Sequence, residues 1–86
     1  MFVILSYDVG AKRVGKALKT CRKYLRHRHR SVFEGQITEA KLRKLEDELE
    51  AIVDPSQDSV CVYRVQSIHY VSTDELGEVE DTSTII

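Results

Sequence analysis

The spacing of apolar residues switches back and forth between strand-like and helical along this chain, and that order constrains the fold more than anything else in it. Phe2 to Tyr7 is a short, mostly apolar run with β-branched and aromatic members, which reads as a buried strand ending at Asp8. Val14, Ala17, Leu18, Cys21 and Leu25 then recur at spacings of three and four, one face of a helix. From Arg26 to Ser31 arginine alternates with histidine and then serine, and Val32 and Phe33 follow. Period two predicts a strand or a short strand pair here, with His27 and His29 on one face. Gly35 offers a place for a bulge or a close backbone approach. Leu42, Leu45, Leu49, Ile52 and Val53 mark a second helix, with Thr38 as N-cap, Glu39 in the first turn and Asp54-Pro55 as the stop. Ser59 to Val65 is a strand, and Ile68 to Val71 reads as a further short one. Strand, helix, strand pair, helix, strand amounts to an α+β sandwich of ferredoxin-like type, βαββαβ, in one domain over residues 1–86.

So small a core supplies only roughly 3–5 kcal/mol, which makes self-association an expectation. The tail, about 74–86, is acidic and then β-prone, and it ends in Ile85 and Ile86, residues better suited to pairing with a second subunit than to water. The opening MFVILSYD is too short in its apolar run for a signal peptide or a membrane span, so a cytoplasmic protein without membrane contact is expected. Cys21 and Cys61 each lie in an apolar pattern and read as reduced, buried thiols; their spacing matches no zinc site.

Net charge is −1, yet its distribution is lopsided. Between Val9 and Phe33 stand nine Lys or Arg residues and no acid, whereas residues 34–86 hold thirteen acids and four bases. Residues 1–33 therefore carry +8 and the remainder −9, which is enough for a local positive field. Lys12, Arg13, Lys16 and Lys19 on the first helix, with Arg26, Arg28 and Arg30 on the following strand, are the residues expected to contact nucleic-acid phosphates. A merely solvated basic helix is the competing reading. Asp8, at the rim of the sheet, can serve Mg2+ (or Mn2+), which takes one or two carboxylates together with waters and substrate phosphates. A twofold dimer would bring two copies of Asp8 together. On position alone, a role in capping the adjoining turn weighs equally. His27 and His29 are too few for a structural zinc site. Tyr7, Tyr24, Tyr63 and Tyr70 could stack on bases, although core or interface packing is the stronger reading for each.

FVILSYDV, the basic helix, SVFEGQIT, the acidic second helix and DSVCVYRV together resemble the Cas-two family of CRISPR-associated proteins over nearly the whole chain. The resemblance implies a ferredoxin-like homodimer in which each C-terminal strand joins the partner's sheet, giving Ile85 and Ile86 a dimer role. It further implies CRISPR adaptation, with the dimer holding duplex DNA and bridging the Cas-one integrase for spacer acquisition. Some members are metal-dependent endonucleases cutting RNA or DNA. On that likeness Asp8 is the metal-binding aspartate, and Tyr7, Arg13, Ser31 and Phe33 accompany it in the catalytic set. RHRHR before SVF departs from the family pattern: a single arginine of some relatives aligns at His27. The alternative is a ferredoxin-like regulatory or small-molecule-binding domain without nuclease activity, against which the acid-free basic run argues.

Overall fold

The computed structural model describes residues 1–77. In chain order they form strand β1 (Phe2–Asp8), helix α1 (Val14–Arg22), strands β2 (Arg26–His29) and β3 (Val32–Gln36), helix α2 (Glu39–Ile52), strand β4 (Ser59–Val65) and a single 3-10 turn (Ile68–Tyr70). The four strands make one antiparallel sheet in the order β2-β3-β1-β4. Each helix therefore joins strands that are not neighbours, as a ferredoxin-like sandwich requires. The α+β class and the element order match the expectation from the sequence.

Because side chains alternate along a strand, the ladder sorts residues onto two faces. Val3, Leu5 and Tyr7 of β1, Phe33 of β3 and the half-buried Val60 and Val62 of β4 face the helices. Opposite them, helix α1 contributes Ala17 and Cys21, and α2 contributes Leu42, Leu45 and Leu49. Helix α2 behaves as its sequence dictates. The Thr38 hydroxyl accepts the Lys41 N–H at 3.2 Å, the three leucines are buried, and the helix stops at Ile52. Helix α1 is rotated slightly from its expected stripe: Thr20 is buried, while Val14 at its start is 37% exposed. The other sheet face, with Ile4, Ser6, Asp8, Ser59, Cys61 and Tyr63, carries no helix.

Three expectations need correction. Ile68–Tyr70 is a 3-10 turn and not a strand, because the Ser67 hydroxyl accepts the His69 N–H at 3.2 Å and folds the segment back. Cys61 is exposed on the uncovered sheet face, whereas Cys21 is buried as expected. The strand pair is present, but its register shifts between His27 and His29. His27 consequently pairs with core-facing Phe33, while His29 pairs with Val32 on the other face, so the two histidines do not share a side. Residues 71–77, at the start of the tail, adopt neither helix nor strand. Ile85 and Ile86 lie outside the described residues, as does most of the expected tail strand.

Candidate functional site

Asp8 closes β1 with its side chain exposed at the sheet rim, opposite Ser59 in the ladder. The chain then turns sharply. The Gly10 carbonyl accepts from the N–H groups of Arg13 and Val14 at 2.9 and 3.0 Å, and α1 begins. This turn is held from outside by Asp58, whose side chain is only 1% exposed. Asp58 Oδ1 accepts the Gly10 N–H at 2.9 Å and Arg13 Nη2 at 2.9 Å; Oδ2 accepts Arg13 Nε at 2.6 Å and the Asp54 N–H at 2.8 Å. The Arg13 guanidinium, followed by these backbone donors, holds the Asp58 carboxyl well below the usual carboxylate range. Asp54 is itself lowered by Ser56, whose hydroxyl and N–H both donate to it. Arg13, expected to act on phosphate, thus spends two donors on a buried carboxylate.

Tyr7, Ser31 and Phe33 do come together, but inside the fold. The Tyr7 N–H donates to the Ser31 carbonyl at 3.1 Å, and its ring packs 5.5 Å from that of Phe33, which is fully buried. Burial pushes the Tyr7 hydroxyl above its ordinary value. On its other side Phe33 carries the His27 ring, stacked at 4.5 Å and 21°. A carbonyl only accepts and a guanidinium only donates. His27 Nε2–H therefore donates to the Arg30 carbonyl at 2.5 Å, and Nδ1 accepts from Arg22 Nη2 at 3.2 Å. Arg30 makes the hairpin turn with φ near +30°, a left-handed angle that side chains other than glycine rarely adopt.

The cationic residues divide into two groups. Some are answered by acids: Lys23 and the Tyr24 hydroxyl both donate to Glu48 of α2, and Arg28 meets Glu34 at 3.3 Å and also Glu75. Others stand open. Lys12, Lys16, Lys19, Arg26 and Arg30 make no ion pair among the described residues and are exposed. Lys16 and Lys19 lie on one stripe of α1, extended backward by Lys12 in the turn before it, because residues three and four apart share a helix face.

No group of three or more His, Cys, Asp or Glu residues that could hold a metal ion occurs among the described residues. Asp8 alone supplies one exposed carboxylate. That suits Mg2+, which binds through few carboxylates and keeps waters for a phosphate to replace, and it does not suit a closed zinc cage. Sequence reasoning missed Asp58 and Asp54. Their signal was faint: two acids four apart in the turn D-P-S-Q-D.

The model of the family described as CRISPR associated protein Cas2 matches residues 1–73. The chain belongs to the Cas2 family. A Frankia alni relative is 48% identical over 77 residues, covering 90% of this chain and 88% of that one. One from Methanosarcina acetivorans is 36% identical over 87 residues and spans both chains completely. Each of these two carries the name CRISPR-associated endoribonuclease Cas2. Among solved structures, a crystal structure of a cas2 protein superposes with a TM-score of 0.86 at 36% identity, covering 93% of this chain and 90% of that chain. Streptococcus pyogenes Cas2 at pH 6.5 superposes with a TM-score of 0.75 at 29% identity, covering 87% and 100%. As a Cas2 the chain has the ferredoxin-like fold read from its sequence. No helix among the described residues is long and apolar enough to cross a membrane.

Proposed function

We propose that this Cas2 serves CRISPR adaptation as a homodimeric scaffold that holds duplex DNA and bridges the Cas-one integrase during spacer acquisition. The observation that carries this reading is the open basic surface of Lys12, Lys16, Lys19, Arg26 and Arg30, which no acid answers among the described residues. Contacts of this kind go to the phosphate backbone and ignore base sequence, as the capture of arbitrary DNA requires. The test is duplex binding against salt for wild type and for Lys16→Gln with Lys19→Gln. If the surface binds phosphates, the slope of log affinity on log salt becomes shallower by about 2 for the pair. An unchanged slope rejects the surface.

A second activity is favoured by a specific observation: the relatives are named endoribonucleases, and Asp8 is an exposed carboxylate at the rim beside the basic turn. Here Asp8 would hold one Mg2+ or Mn2+, in a dimer jointly with its symmetry mate. Bound there, the ion lowers the pKa of an attached water and neutralises charge at the scissile phosphate. Lys12 and Lys16 orient the polyanion, and the Asp58 knot keeps the turn after Asp8 in place. Asp8→Asn should abolish metal-dependent cleavage of RNA or DNA while leaving duplex retention intact. Equal cleavage by the variant removes Asp8 from the mechanism.

A further inference from the structure

We infer that Asp58 is a positioning residue for Asp8, and that Arg13 serves it as a strut instead of as a phosphate ligand. The inference rests on the reading of Asp8 as the metal carboxylate. Two features of the geometry carry it. First, Asp58 is anchored on both sides of the Asp8 rung. It directly precedes Ser59, the ladder partner of Asp8, and it binds Gly10, two residues beyond Asp8. Val9 alone separates Asp8 from that fixed point. Both carboxylate oxygens are fully used, two donors to each, so the clamp has one arrangement.

Second, Arg13 is locked into the same clamp. Its Nε and Nη2 make a bidentate pair with a carboxylate that is almost wholly buried, and a phosphate would have to displace that carboxylate to claim them. Space is tight as well. A Cβ on Gly10 would lie 2.6 Å from Arg13 Nη2, so a side chain there would force the guanidinium to shift within the clamp.

Titration with Mn2+, followed by electron paramagnetic resonance, reads the positioning directly. Asp58→Asn should weaken Mn2+ binding by about tenfold, the low end of the cost of removing a residue that orients a ligand. Gly10→Ala keeps the buried carboxylate and displaces only the strut, so it serves where Asp58→Asn does not fold; it should weaken binding in the same direction. Thr38→Ala lowers stability at a remote helix cap and should leave Mn2+ affinity unchanged, which separates positioning from loss of fold. Asp8→Asn combined with Asp58→Asn should bind no more weakly than Asp8→Asn alone. Folded Asp58→Asn and Gly10→Ala proteins that bind Mn2+ as wild type does would overturn the inference and spare the Asp8 reading. Should Asp8→Asn bind as wild type does, the Asp8 reading falls and the inference with it. For the strut, Arg13→Gln should keep the salt slope of duplex binding, whereas a slope shallower by about 1 would show Arg13 to be a phosphate ligand and overturn that half.

Discussion

Single side chains set the limits of this molecule most clearly at Asp58. Its ionisation is depressed in the folded state, first by the Arg13 side chain and then by backbone N–H groups. The sign follows from linkage. A folded value below the unfolded one, about 3.9, gives stability that is complete well above pH 4 and lost as pH falls through the unfolded value toward the folded one. The acid limb of a Tm-versus-pH curve should therefore be steep below about pH 4. It should be flatter in Asp58→Asn, which should also melt lower at pH 7; an unaltered acid limb would assign the acid response to other carboxylates. Phe33 is the opposite kind of residue, wholly apolar and clasped between Tyr7 and His27. Phe33→Ala should cost about 3–5 kcal/mol in urea unfolding, the usual penalty for emptying an aromatic site in a core. Neither role was visible beforehand. Asp58 binds residues 45 and 48 positions away, and nothing local in D-P-S-Q-D says where its carboxylate points. Phe33 stands in the catalytic set by its motif alone, and a motif does not show that its ring is fully buried between Tyr7 and His27.

Elements were far more legible than single residues, for reasons visible in α2 and in the hairpin. Helix α2 has every local signal in agreement: a hydroxyl cap, a leucine stripe and a proline stop. Leu45→Ala should cost about 2–5 kcal/mol and Thr38→Ala about 1 kcal/mol, both measurable by denaturant titration. The hairpin shows how the same method fails. RHRHR alternates without interruption in sequence, yet the register shift between His27 and His29 sends the two histidines to opposite faces, and no periodicity in the letters announces it. Ile68 to Val71 misled for a related reason. Its composition favours a strand, and one serine cap overrides that preference. Arg28 illustrates how elements meet: it leaves β2 and is met by Glu75 from the segment after the 3-10 turn. Glu75→Gln should leave Arg28 answered by Glu34 alone and tighten duplex binding more than Asp47→Asn, a change of equal charge on the exposed side of α2, when both are compared at one salt concentration.

At the scale of the whole molecule, charge is segregated and one sheet face lacks a helix. Basic α1 and acidic α2 lie side by side, joined at Lys23, Tyr24 and Glu48, so part of the opposite charge is matched internally. Among the described residues, the Lys12, Lys16, Lys19 stripe with Arg26 and Arg30 makes no ion pair. If the proposed homodimer covers the bare sheet face, the mass from sedimentation equilibrium should be twice that of one chain at micromolar concentration, and Ile4→Glu should shift it toward a single chain. That same face carries Cys61, while the only other thiol, Cys21, is buried and pushed up to about 12. A maleimide dye added to the unmodified protein would accordingly settle at one known address, turning an unremarked sulfur into a built-in reporter of whether that address is open or shut.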